Sequence, residues 1–173
     1  NRLWKIYADK QNCIILNYNL PDVSTLKKEN NNLVREVHMT IKKISQDIST
    51  EFQFNTVISK YREFTNVIYD YMNAKSEFDE EDKNVFSYAV LTFLRLLAPV
   101  LPHMTEEIYE GLGGKNSVHL LKWPKYDDAL AKTSTITLVV QINGKVKDKI
   151  EVDAETSKED MEKIALNSER IKE

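Results

Sequence analysis

Arg35, Lys42 and Lys43 are three cations along one stretch of the chain, with His38 among them. On a rigid element such side chains donate to the oxygens of an anion, and an imidazole can add a further donor. A second set, Lys145, Lys147 and Lys149, follows Asn143-Gly144 at two-residue spacing. On a strand that spacing would turn all three to one face. Each set is also what a solvated surface charge looks like. His38, at the edge of an apolar stripe, reads on its own terms as a packing histidine with a local hydrogen bond.

Catalytic constellations are not apparent. His38, His103 and His119 are far apart in sequence, with no i, i+4 pair of the kind that binds metal on a helix, and Cys13 is the sole cysteine. There is no glycine-rich phosphate loop, and Gly113-Gly114 reads as the end of a helix. Glu106-Glu107 and the acidic run 79–82 fall at expected helix N-termini, where the macrodipole favours carboxylates. No metal, cofactor or nucleophile site is expected in this chain.

Composition sets the class. With 42% hydrophobic and 29% charged residues and only four Gly and four Pro, the 173-residue chain reads as globular and not disordered. No apolar run approaches the roughly 18 residues that a membrane helix needs. Nor does a basic-then-apolar leader open the chain, and a cytoplasmic setting is expected. The net charge of -3 is unevenly spread. Between Lys27 and Arg62 seven Lys/Arg face four Asp/Glu, and between Lys122 and Ile150 six face three. Between Glu63 and Glu110 three basic residues face ten acidic ones, so an anionic partner would have to use the basic zones locally.

These residues need elements to position them. Arg2 to Tyr7 reads as helix with no start signal, as if cut from something longer. Ser24 or Thr25 is placed to cap the next helix. Val34, Val37, Ile41, Ile44 and Ile48 recur at helical spacing. A third helix is expected from near Asn55 to Met72, burying Phe54, Val57, Ile58, Tyr61, Phe64, Ile68 and Tyr71. Asp79 caps a fourth, apolar nearly all round and so central, which Pro99 ends. Pro102 opens a fifth. After Trp123-Pro124 the period changes. Thr135 to Ile142 reads as a strand, Asn143-Gly144 as a hairpin turn, and Val146 to Val152 as its partner strand. Thr156 and Glu159 have capping-box spacing before a short helix. The expected fold is mainly α: a helical bundle over 1–125, then a small, incomplete α/β unit over 126–173, with a β-hairpin at 135–152 and a helix at 157–166.

The strings LVREVHMTIKKISQDI, FNTVI, LAPVLPHMTEEIYEGLG, SVHLLKWPKYD and VVQINGKVKDKI occur here in that order. Together they resemble leucyl-tRNA synthetases of the bacterial type, class I enzymes, over nearly the whole chain. The helical segments resemble the anticodon-binding bundle shared with the Ile, Val and Met enzymes. VVQINGKV is the more specific signal and resembles the start of the small C-terminal domain of the leucyl enzymes. Tyr109 stands where the family commonly has Trp, and Lys147 where Arg is usual, which removes a planar fork for phosphate. HIGH and KMSKS are absent, and the family's C-terminal domain normally continues further.

The resemblance implies a leucine--tRNA ligase. Such an enzyme activates leucine with ATP and Mg²⁺ and attaches it to tRNA(Leu), with catalytic and editing domains elsewhere in a monomeric protein. This stretch would position tRNA(Leu) through backbone contacts by Arg35, His38, Lys42, Lys43, Lys145, Lys147 and Lys149, and be inactive alone. Two alternatives stay open: the equivalent domain of an Ile, Val or Met enzyme, and a helical interaction domain with no RNA role.

Overall fold

The computed structural model describes residues 2–51, 54–131, 135–142, 145–153 and 158–166. The chain divides into two compact units, 1–131 and 132–173. In the first, α1 (Arg2–Lys10), α2 (Lys28–Gln46), α3 (Phe54–Asn73), α4 (Glu80–Leu97) and α5 (Pro102–Gly111) follow one another, with two 3-10 turns in the long connection between α1 and α2. Hydrogen bonds at both ends of α3 set the helix directions. Tyr71 Oη donates to Asn30 Oδ1 (2.6 Å) near the start of α2, while Thr56 Oγ1 donates to Asp47 Oδ2 (2.6 Å) just past its end. Tyr61 Oη donates to the carbonyl of Leu96, late in α4. Helix α3 therefore runs antiparallel to both α2 and α4.

The apolar stripes explain that packing. Leu33, Val34, Val37, Ile41 and Ile44 of α2 are buried, as are Val57, Tyr61, Phe64, Ile68, Tyr71 and Met72 of α3. Phe54 and Ile58, expected in that stripe, are exposed. Ile58 lies roughly a quarter turn from the line through Val57, Tyr61, Phe64 and Ile68, and Phe54 opens the helix, beyond its packed turns. Helix α4 is buried on nearly every side and is central. Its Phe93 meets Phe64 edge-to-face at 5.0 Å, and its Phe86 meets Phe78 in the same way at 5.0 Å.

Helix ends follow local chemistry, with one exception. Asp79 accepts from the Asp82 N–H and Asp82 reaches back to the Asp79 N–H, a reciprocal capping box. Pro102 occupies the first turn of α5. At its far end the Gly113 N–H donates to Glu110 O and the Gly114 N–H to Tyr109 O. Gly113 has φ +90°, the left-handed conformation that such a terminus requires. The exception is the start of α2. Ser24 and Thr25 lie in a 3-10 turn whose cap is Asp22, and the N-cap of α2 is Lys27, with no side-chain cap of its own. The Lys27 N–H is instead taken by Glu81 Oε1 of α4 at 3.0 Å, so a tertiary contact replaces the local one.

In the second unit β1 (Thr135–Ile142) and β2 (Lys145–Asp153) pair antiparallel, and α6 (Lys158–Leu166) packs against β1. The register shifts between Val140 and Gln141, whose partners are Asp148 and Val146. Lys147 therefore stands outside the ladder as a bulge residue, and the strict alternation expected through 145, 147 and 149 is broken there. The Asn143-Gly144 turn and the capping position Thr156 lie outside the described residues.

Candidate nucleic-acid interface

Helix α2 carries Arg35, His38 and Lys42 along one line, since residues three and four apart share a helix face. The segment 123–128 is fastened over that line. Trp123 Nε1 donates to Ser45 Oγ (2.9 Å), the Asp127 N–H donates to His38 Nδ1 (2.9 Å), and Lys42 Nζ donates to Asp128 Oδ1 (2.7 Å). The Tyr126 ring lies under Lys42 Nζ, 5.7 Å from centroid to nitrogen. These bonds are why the first unit reaches Ala131 and does not stop at Lys125.

The cations on and beside this face are held differently. Arg35 is half-buried, and its Nε donates to Asn31 Oδ1 (2.7 Å), whose own amide is anchored on the Val23 carbonyl. Lys42 is half-exposed and its pair with Asp128 is a surface one, which an incoming phosphate can exchange. Lys43 lies one position off the line, bonded through Nζ to Asp47 Oδ1 (2.9 Å) where the end of α2 widens into a π turn. Lys145, Lys147 and Lys149 belong to the second unit, on β2.

His38 is not an outward donor. It is buried, with both ring nitrogens engaged inside the protein: Nδ1 accepts from the Asp127 N–H, and Nε2 lies 3.0 Å from Tyr88 Oη. An Nδ1 that accepts carries no proton, so the neutral ring holds its hydrogen on Nε2, directed at Tyr88. Burial pushes the Tyr88 phenol up to about 12. Burial also lowers the His38 pKa below its usual 6.5, only partly opposed by the Asp127 carboxylate. The folded state thus binds a proton on His38 less readily than the unfolded chain does. His38 contributes stability above pH 6.5 that is lost as pH falls through the lowered folded value. Urea midpoints measured from pH 7.5 down to pH 5 should fall in the wild type, and His38→Gln should lose this part of the pH dependence.

Reasoning from sequence missed Lys122 and Lys125, both exposed on the segment that covers α2. Their signal was the basic zone that opens at Lys122; what was not legible was where that zone folds. Among the described residues, no group of three or more His, Cys, Asp or Glu could hold a metal ion, and no helix is long and apolar enough to cross a membrane.

A helical unit with cations arrayed on one buttressed helix suits the class of RNA-supporting bundles, and comparison with known proteins gives the class directly. A family model described as the anticodon-binding domain of tRNA ligase matches residues 30–163, and the chain belongs to that family. Its relatives are leucine--tRNA ligases. That of Lawsonia intracellularis (strain PHE/MN1-00) is 39% identical over 175 residues, covering 99% of this chain and 21% of the relative. That of Crocosphaera subtropica (strain ATCC 51142 / BH68) is 38% identical over 172 residues, covering 98% of this chain and 19% of the relative. The chain thus spans about a fifth of the length of the curated relatives it matches. Among solved structures, the ternary complex of Agrobacterium radiobacter K84 agnB2 LeuRS with tRNA and LeuAMS is similar with a TM-score of 0.69. At 22% identity, over 99% of this chain and 22% of that one, the likeness establishes the fold.

Proposed function

We propose that this chain is the tRNA-holding part of a leucine--tRNA ligase, gripping tRNA(Leu) through its ribose-phosphate backbone. The observation that carries the reading is the match to leucine--tRNA ligases along 99% of the chain. The likeness to a LeuRS solved with tRNA supports it further. In this reading leucine activation with ATP and Mg²⁺, transfer to tRNA and editing belong to the rest of such an enzyme, which works in the cytoplasm as a monomer. The second unit is the beginning of its small C-terminal domain.

The residue chemistry fits backbone recognition. Shape and phosphate contacts to RNA call for Lys and Arg on rigid elements, not for splayed aromatic platforms. Arg35, braced on Asn31, and Lys42, which can exchange Asp128 for phosphate, are the leading contacts, with Lys43 beside them. His38 acts indirectly, by fastening the segment that carries Lys122 and Lys125. Lys145, Lys147 and Lys149 add charge from the second unit. Filter retention of labelled tRNA(Leu) at low salt tests the reading. Retention by this chain is the expected result, and no retention at any protein concentration reached would contradict it.

A further inference from the structure

Apart from the α2 face, the helical unit holds a cavity of about 520 Å³ whose lining includes Asn17, Tyr18, Arg95, Tyr109, Lys115 and Asn116. Its remaining walls are leucine and glycine, and no carboxylate lines it. Of its lining, Leu91, Arg95 and Tyr109 come from the stretch between Glu63 and Glu110, where ten acidic residues face three basic ones.

Arg95 is the one charged residue between Val85 and Leu97 of the central helix, and it is half-buried. Its Nε donates to the Leu91 carbonyl (3.3 Å) and its Nη2 to Thr92 Oγ1 (3.2 Å), both neutral groups of its own helix. Among the described residues no carboxylate pairs with it. A guanidinium drawn partly out of water beside apolar side chains, with its charge unmatched, is costly unless an anion joins it. Its unused N–H groups form the planar fork that fits phosphate oxygens.

The neighbouring loop is shaped to complete the site. Gly113 takes its left-handed turn, and a Cβ on Gly114 would meet Tyr109 Cε1 at 2.3 Å, so only glycine lets the loop lie on that ring. Lys115 and Asn116 follow directly and reach the cavity. Glu106, the acid bonded to the end of this loop, accepts from Ser117 Oγ (2.9 Å) and the Val118 N–H (3.0 Å) and does not line the cavity.

We propose that this cavity takes one phosphorylated nucleotide, with the phosphate on Arg95 and Lys115 and the sugar and base against Tyr18 and Tyr109. The nucleotide is either a unit of bound RNA or a free one. The RNA form rests on the tRNA-holding reading above; the free form does not. Two measurements separate them. In the first, AMP is titrated into this chain while the Gly113 and Gly114 amide signals are followed by NMR. In the second, tRNA(Leu) affinity is measured at about 0.1 M salt. The variants are Arg95→Met, which keeps an unbranched apolar stem, and Lys115→Ala, at an exposed loop position where folding is not at stake.

AMP should shift both amides in the wild type and not in Arg95→Met. Each variant should lower tRNA affinity roughly tenfold, the loss of one phosphate contact. Shifts with AMP but unchanged tRNA affinity assign the site to free nucleotides. Lower tRNA affinity without AMP shifts assigns it to RNA. If AMP shifts nothing and both variants bind tRNA like the wild type, the cavity proposal is overturned while the α2 reading stands. If the wild type does not bind tRNA, that reading falls, and the AMP titration alone decides the cavity.

Discussion

Asp82→Ala should cost the helical unit about 3 kcal/mol, read as a lower urea midpoint with an unchanged slope. Asp82 is 4% exposed and sits where three helices meet. Asn30 Nδ2 donates to its Oδ1 (2.8 Å), Lys75 Nζ pairs with the same oxygen, and Tyr71 Oη lies 3.4 Å away. Burial alone would raise the Asp82 carboxyl, but the bonds from Lys75 and Asn30 overcome it and hold the group below its usual 3.8. Alanine removes all of these at once and takes away half of the capping box at the start of α4. It also leaves Lys75, only 15% exposed, without its carboxylate, and an uncompensated charge near the core is the larger part of the loss. The pH dependence has a definite sign. A carboxylate with a lowered folded pKa stabilises the fold above its unfolded value, and that contribution disappears as pH falls below 3.8. By contrast, Lys27→Ala removes an exposed pair with Asp79 and should leave the midpoint nearly where it was.

The second large effect is on binding. Arg35→Ala combined with Lys42→Ala should weaken tRNA(Leu) binding by roughly fiftyfold at 0.1 M salt, because each lost phosphate contact removes up to about 0.9 from the salt slope. The fold should tolerate the change. Lys42 holds a surface pair with Asp128 beside the Tyr126 ring, and the bond from Arg35 Nε goes to a neutral amide one turn away. Unchanged far-UV dichroism with weakened binding is the expected pairing. An unchanged affinity would remove the α2 face from the interface.

Much of the helical unit was legible because its signals are local. The α2 stripe from Val34 to Ile44, the Asp79 cap, Pro102 at the start of α5 and glycine at its end each follow from spacing or from one residue's backbone preference. The misreadings arose where distant residues decide. Ser24 and Thr25 are suitable caps, yet α2 begins later because Glu81, 54 residues beyond Lys27, receives the Lys27 N–H. Phe54 and Ile58 are apolar but fall where no neighbouring helix covers them. His38 was legible from its place at the edge of the α2 stripe as a packing histidine, but its partner Asp127, 89 residues away, was not. The bulge at Lys147 has no sequence signature, since it is set by how β1 and β2 register. No spacing or motif in the sequence singles out Arg95, and its unmatched setting emerges only once Tyr18, Tyr109 and the Gly113–Asn116 loop are brought around it.

The most direct test of backbone gripping is the dependence of tRNA(Leu) affinity on salt, from about 50 to 200 mM. A linear fall of log affinity against log salt, steep enough for several phosphate contacts and shallower in the Arg35/Lys42 double variant, is the predicted result. A flat line, or a slope identical in wild type and variant, would contradict it.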